Sequence, residues 1–456
     1  MVRLRTFFTF FLRFRGLFLE GTSMAGSVQV GLVGLGTIGV GVARLLLEKR
    51  SKVFAGDCGP ITLKRIADKD LSDRGIDLPS GILTEDVRAV LEDPEIGIIV
   101  ELVGGIEPAR TFVLTAIEHG KHVVTANKAL LSAHGEEIFR AAQKRGVDVL
   151  FEAAVGGSIP IIRALRESLG TSAIRSIYGI LNGTTNYILT RMTDDGASYD
   201  EMLKAAQQLG FAERNPVADV SGKDSLQKLV ILARLAFGAS LSPEEILCEG
   251  IERITPMDIS FAQELGYRIK LLAIAKEREG RIEARVHPAM IPLSGLMANV
   301  KFEYNAIEVV GEEFGTQVFY GKGAGQRPTA TVVVSDVIDL ASRIQSGAPT
   351  CRVAPLLASA SSVRLVTAED LFLRHYVRLE VFDRAGVLAD IARLFAEENI
   401  SIESVIQKGR AASDTVPLVI MTHEASEASI ERALRRLSTL NVVRGPIQRI
   451  RVEELE

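Results

Sequence analysis

Asp224 and Lys228 stand four residues apart at the start of a strongly helical run, Gly222 to Phe237. That spacing puts both side chains on one helix face. Glu213 and Asp219 lie in the loop just before, around an Asn215-Pro216 turn. A carboxylate beside an amine, with more carboxylates close by, suits proton transfer and the grip of an amino-acid substrate. The competing reading is an i,i+4 ion pair on a solvated face, worth little by itself. The clustered acids, the Asn-Pro turn and the apolar run Leu229–Ala233 favour a charged group where a buried helix begins.

The elements that would position this pair recur along the chain in an α/β rhythm. Val28–Val33 reads as a buried parallel strand, followed at once by Gly34-Leu-Gly36-Thr37-Ile38-Gly39 and a helix from Thr37 to about Lys49. In a strand–turn–helix setting these glycines give a tight turn, close approach to pyrophosphate and close helix packing. The helix start offers N–H groups and positive dipole to phosphates. A second strand, Ile61–Ala67, ends at Asp68, placed to take a ribose hydroxyl and favour NAD. Arg65, Lys69 and Arg74 adjoin it and suit a 2′-phosphate, so NAD and NADP both stay open.

Strands at Ile98–Leu102, Lys121–Thr125, Val147–Phe151 and Ile177–Leu181 continue the pattern, with Gly104 in the turn after the first and Pro108 opening a helix. Lys128 follows the Lys121–Thr125 strand at its carboxyl end, the edge where such sheets bind ligands. Glu152 to Pro160 surrounds one acid with small residues, which fits either an oxygen cage for a monovalent cation or a tight turn. Gly183 and Thr184 follow the Ile177 strand and could donate to a substrate carboxylate; Thr185 could equally cap the helix there.

Paired strands are expected over Arg268–Lys276 with Arg281–His287, and over Asn305–Val310 with Thr316–Tyr320. Gly323 and Gly325 then open a helix from Thr329 to about Ile344, and this second Gly-rich helix start sends the chain back to the nucleotide domain. Residues 345–370, rich in Ser and Ala, read as a linker. The closing block has βαββαβ order and reads as self-contained, with no catalytic constellation.

Composition bounds the rest. The 456 residues suit about three domains, and 47% hydrophobic with 24% charged residues supports a sizeable core. A net charge of −4 gives no electrostatic case for nucleic acid. Cys58, Cys248 and Cys351 are too sparse for a disulfide framework, which points to a reducing, cytoplasmic compartment. Residues 1–27 read as an extension upstream of Met24 rather than a membrane segment, because Arg13 and Arg15 interrupt the apolar stretch.

With GLGTIG (34–39), VGGIEPA (103–109), TANKALL (125–131), EAAVGGSIP (152–160), GILNGTTNYIL (179–189), SGKDSLQKL (221–229) and GKGAGQRPTA (321–330), the chain resembles homoserine dehydrogenase in its bacterial form. LEVFDRAGVLADIA (379–392) and ISIESVIQ (400–407) resemble an ACT domain. The likeness runs from about Val28 to the end. It implies an α/β protein: an N-terminal Rossmann domain (28–150, completed by a helix near 325–345), a central α+β catalytic and dimerisation domain (151–324), the 345–370 linker, and a ferredoxin-like ACT domain (371–456).

The implied reaction is NAD(P)-dependent interconversion of L-homoserine and L-aspartate 4-semialdehyde, in threonine, methionine and isoleucine biosynthesis. The resemblance makes Lys228 the catalytic lysine and Lys128 a second lysine touching cofactor and substrate. Glu213, Asp219 and Asp224 become the acids that hold substrate, with Gly183 and Thr184 at its carboxylate. Glu152, Val155, Gly157 and Ile159 match a sodium site. Asp383 and Gly386 become effector contacts for threonine, and a homo-oligomer, dimer or tetramer, is implied. Two positions depart from the family pattern: Arg214-Asn215-Pro216 where Ala-Asp-Pro is usual, and Ala385 where the ACT turn has Pro.

An amine beside a carboxylate keeps its proton, so Lys228 is a ready acid for aldehyde reduction. It serves as base in oxidation where burial or a second cation such as Lys128 loosens that proton. Two rival readings are a Rossmann reductase acting on a different aldehyde and a non-catalytic amino-acid sensor. Each would lack a use for the Glu213–Asp224–Lys228 set.

Overall fold

Val28–Val33 (β1) is buried on both faces apart from Gln29, as expected of a strand covered by helices on either side. The computed structural model describes residues 27–48, 60–348, 364–408 and 415–455. The 1–27 extension, apart from Ser27, and most of the 345–370 linker therefore lie outside the described residues. β1 pairs in parallel with β2 (Ile61–Ala67) and β4 (Ile96–Glu101). Leu83–Thr84 (β3), His122–Thr125 (β5) and Val149–Leu150 (β6) complete a parallel sheet of order β3-β2-β1-β4-β5-β6 among the described residues. The strand order reverses between β1 and β4, which leaves a crevice at their carboxyl ends. Helix α1 (Thr37–Glu48) follows β1, α2 (Ala109–Glu118) follows β4 and α3 (Lys128–Arg145) follows β5. Pro108 caps α2 rather than opening it.

The second sheet holds the strand-rich half. β7 (Ile174–Ile180), β8 (Tyr267–Arg278), β9 (Arg281–Pro292), β10 (Tyr304–Gly311) and β11 (Gly315–Lys322) run in the order β11-β10-β7-β8-β9. Helix α4 (Gly183–Asp195) follows β7, and α5 (Tyr199–Gln208) carries a capping box at Ser198. Helix α6 (Lys223–Phe237) is buried over most of its surface, including Asp224 and Lys228. It begins after Gly222 at φ +84°, where a Cβ would sit 3.2 Å from both Cys248 Sγ and Val286 Cγ1. Helix α7 spans Pro256–Glu264. Helix α8 (Gln326–Ser346) returns to the parallel sheet, its Val333, Val337 and Leu340 sharing a core with Val42, Ala43 and Leu46 of α1.

The C-terminal block comprises β12 (Phe372–Phe382), α9 (Val387–Glu397), β13 (Ile402–Gln407), β14 (Thr415–Thr422), α10 (Glu427–Leu437) and β15 (Val443–Val452). The four strands run β15-β12-β14-β13, over a core that includes Val377, Ile391, Phe395 and Ile430. The expectation of a self-contained block is corrected here. β15 pairs with β9 at Ala289–Arg451 and Met290–Val452, so the two sheets are continuous. Arg364–Leu365, inside the expected linker, also pairs with β9. Short-range sequence pattern carries no signal for such an edge-to-edge junction.

Candidate active site

Leu181 follows β7 on the way into α4, and Lys228 sits one turn into α6. The Lys228 ammonium donates to the Leu181 carbonyl at 2.5 Å and to Asp224 Oδ2 at 2.7 Å, and both side chains are buried. The i,i+4 spacing therefore serves a buried pair and not a solvated face. Lys128, the first residue of α3, reaches the other oxygen, Asp224 Oδ1, at 3.4 Å, with its side chain 37% exposed. Burial would push the Asp224 carboxyl up. Lys228, Lys128 and hydrogen bonds from Lys228 and Asn182 outweigh it and hold the group at about 2.

Asn182 was not singled out by the sequence, yet it organises this corner. Its amide donates to Asp219 Oδ1 at 2.8 Å and Asp224 Oδ2 at 2.9 Å. Its carbonyl oxygen accepts from Thr185 N, so Asn182 and not Thr185 caps α4. A β-strand leading into an Asn at the first non-helical position was the available signal. Burial, with Asp224 and Glu213 nearby, raises the Asp219 carboxyl above the usual range despite the Asn182 hydrogen bond. Glu213 is exposed on the loop after α5. The Thr184 hydroxyl donates to the Phe211 carbonyl at 2.6 Å, which ties that loop to α4. The N–H groups of Gly183 and Thr184 remain at the helix start, where anions are favoured. Gly183 is also required for packing, since a Cβ there would lie 2.7 Å from the Glu303 carbonyl.

The dinucleotide elements sit at the carboxyl ends of β1, β2 and β4. Gly34 (φ +99°) passes so near Leu102 that a Cβ would be 2.7 Å from its carbonyl carbon, and at Gly39 one would lie 2.1 Å from the Gly34 oxygen. At Gly36 a Cβ would meet nothing, and the residue is exposed at the start of α1 beside Thr37 and half-buried Ile38. An open, side-chain-free surface at a helix N-terminus fits a pyrophosphate. Asp68 accepts from Leu35 N at 2.5 Å and Asp70 N at 2.9 Å, so its carboxylate is fixed against the glycine turn. Arg74 is spent on Asp70 at 2.6 Å, and the charge of Arg65 acts on Asp93; Lys69 is exposed next to Asp68.

A further acid missed in the sequence is Glu101, fully buried at the end of β4. It accepts from Val103 N at 2.8 Å, from Gly104 N at 3.3 Å and from the Thr125 hydroxyl at 2.6 Å. Thr125 accepts from Asn127 N, and Asn127 caps α3 and donates to Gly105 O at 2.7 Å. This chain of bonds fixes the Gly104 turn and the start of α3, hence Lys128. A carboxylate ending the apolar run Ile98-Ile-Val was the signal for it.

The 152–160 loop is buried apart from Ser158 and Pro160. Both carboxylate oxygens of Glu152 accept main-chain N–H groups, from Ile162 at 2.8 Å and Arg163 at 2.9 Å. Burial, with Asp336 adjacent, pushes this carboxyl up to about 7. A cation cage here would draw on the carbonyls of Glu152, Val155, Gly157 and Ile159. Gly157 is pressed against Gly323, a Cβ there falling 2.5 Å from the Gly323 oxygen, and Gly325 (φ +121°) caps α8. Asp383 and Gly386 are both exposed on the turn between β12 and α9, far in sequence from this cluster. No group of three or more His, Cys, Asp or Glu that could hold a metal occurs among the described residues, and no helix among them is long and apolar enough to cross a membrane.

Three family profiles match the chain: "Homoserine dehydrogenase, NAD binding domain" over residues 34–152, "Homoserine dehydrogenase" over 160–338 and "ACT domain" over 375–441. The homoserine dehydrogenase of Synechocystis sp. is 46% identical over 83% of this chain and 89% of its own length. That of Bacillus subtilis is 39% identical over 90% of this chain and 95% of its own. The crystal structure of a homoserine dehydrogenase from Thiobacillus denitrificans superposes with a TM-score of 0.88 at 43% identity, covering 94% of this chain and 99% of that one.

Proposed function

Since this chain belongs to the homoserine dehydrogenase family, NAD(P)-dependent oxidoreductases with an NAD-binding and here an ACT domain, we propose that Lys228 is the group that exchanges a proton with the reacting substrate oxygen. The observation that carries this reading is the buried Lys228 ammonium held between Asp224 Oδ2 and the Leu181 carbonyl. The bound nicotinamide takes or gives the hydride. Asp224, held at about 2 and so ionised at neutral pH, keeps the Lys228 amine in place beside the reacting oxygen. Lys128, on the other oxygen of Asp224, is the second cation near the reacting oxygen. Glu213 and Asp219 take the substrate ammonium, and the N–H groups of Gly183 and Thr184 its carboxylate.

The cofactor is held by Gly34, Gly36, Thr37, Ile38 and Gly39 at the pyrophosphate, by Asp68 at the adenosine ribose, and by Gly104, Lys128, Gly323 and Gly325 toward the nicotinamide end. Lys69 is the residue placed for a 2′-phosphate. A sodium ion in the 152–160 loop, a homo-oligomer formed through the second sheet, and threonine at Asp383 and Gly386 complete the reading.

Replacing Lys228 by Ala is expected to lower kcat by about 10²–10⁴-fold. Cofactor affinity should change little, as followed by absorbance at 340 nm with homoserine and either cofactor. A Lys228→Ala enzyme with unchanged turnover would end the assignment.

A further inference from the structure

The C-terminal strand reaches the catalytic helix through one carboxylate. On β15, Arg449 and Arg451 both grip Glu249: Arg449 Nη2 donates to Oε1 at 2.9 Å, and Arg451 Nη1 and Nη2 donate to Oε2 and Oε1 at 2.7 and 3.0 Å. Glu249 belongs to a short segment that follows Leu247–Cys248, which pairs with β9, and its own N–H donates to Val286 O at 2.8 Å. The same segment braces the turn before α6. Ile251 N donates to Val220 O at 2.9 Å, and Cys248 Sγ lies 3.4 Å from Ser221 O. Gly250 is so close to that turn that a Cβ on it would fall 2.2 Å from Val220 O. Gly222, the residue with no room for a side chain against Cys248 and Val286, then starts α6, two residues before Asp224 and six before Lys228.

We infer that Glu249 is a positioning residue for the catalytic pair: the ACT strand, by gripping it, fixes the turn that sets the height and direction of Asp224 and Lys228. A bidentate, charge-assisted fork from two arginines gives the geometric definition such a brace needs. Arg449 is also held by Glu427 and Glu431, at 2.8 and 2.7 Å, so the arginines stay anchored to the C-terminal block whether or not Glu249 is present. The strand itself is tied to β9 at Ala289 and Met290, which makes it a firm support. The inference rests on the reading of Asp224 and Lys228 as catalytic.

The test compares Glu249→Gln with Glu431→Gln in the full-length protein. Each variant removes one carboxylate from Arg449, but Glu431 bonds Arg449 from α10, outside the 247–251 segment. Glu249→Gln should lower kcat/KM for homoserine roughly three- to thirtyfold, with cofactor KM and the Glu431→Gln enzyme both within about twofold of wild type. Glu249→Asp should recover part of the loss. Amide hydrogen exchange at residues 220–226 should quicken in Glu249→Gln and not in Glu431→Gln. Should Glu249→Gln fail to fold, Arg451→Lys, which keeps the charge and loses the two-pronged grip on Glu249, should show the same local exchange pattern. Equal kinetics for the two Gln variants, or unchanged exchange at 220–226, overturns the inference. Faster exchange with unaltered kcat/KM overturns it too, and a fully active Lys228→Ala enzyme would then place the error in the catalytic reading rather than in the brace.

Discussion

Two of the buried ion clusters among the described residues differ in what they leave open. At the head of α6, Asp224 holds Lys228, both about 10% exposed at the side chain, while its second oxygen faces a lysine that reaches solvent. At the junction of the two halves of the second sheet, Glu453 pairs with Lys276 and with Arg285, and none of the three side chains exceeds 7% exposure. Each joins one carboxylate to two cationic side chains. The junction closes on itself, and its carboxylate is consumed by two cations from the catalytic half. The α6 cluster instead opens to solvent through Lys128, which is partly exposed, with the α4 N-terminus alongside. A buried ion pair is weak evidence of either stability or chemistry by itself; an unfinished one beside a dinucleotide crevice is the informative kind.

The contrast can be broken by removing one ion from each cluster. Glu453→Ala should destabilise the protein by about 3–5 kcal/mol, because Lys276 would stay buried without its ion-pair partner and Arg285 would keep only Glu283; a denaturant melt reads it. A Glu453→Ala protein as stable as wild type would mean the junction is not a closed ionic core. By the same logic, deleting residues 371–456 should cripple folding as well as regulation, so point variants at Asp383 are the better probe of effector binding. At the other cluster, Asp224→Asn should cost about a hundredfold in kcat while the melting temperature moves far less than in Glu453→Ala. The reverse order of effects would exchange the roles given to the two clusters.

A third buried amine sharpens the comparison because its hydrogen bonds go to an amide and a main-chain carbonyl and not to a carboxylate. Lys270, 1% exposed, donates to Asn186 Oδ1 at 2.8 Å and to Val300 O. Burial, helped by Arg268 and Lys301, pushes it down to about 7. An unfolded lysine titrates near 10.4, so between about pH 7 and 10 the unfolded chain binds a proton that the folded one does not. Stability is therefore expected to rise with pH across that window and to be flat below it. Lys270→Met should remove this contribution to the slope of unfolding free energy against pH, and an unaltered slope would show that Lys270 stays charged in the fold.

The sequence was legible where chemistry is local. The Asp224–Lys228 spacing, the glycine turn at 34–39 and Lys128 at a strand's carboxyl end all depend on neighbours within a few residues, and the folded chain brings Lys128 to Asp224. Asn182 was harder to see because a capping residue and a bridge between two carboxylates look alike in sequence. The Leu181 carbonyl carries no side-chain signal at all. The junction was invisible for another reason: Glu453 meets Arg285 and Lys276 across 168 and 177 residues of chain. No periodicity reports a contact of that range, so the C-terminal block read as independent.

The most direct measurement is a crystal structure of the complex with homoserine and the oxidised cofactor. The Lys228 nitrogen should lie within about 3 Å of the substrate hydroxyl, the reach a proton donor or acceptor needs, with Asp224 still on its far side. A substrate hydroxyl bound to another side chain, with Lys228 still engaged only by Asp224 and Leu181, would contradict the role given to this lysine.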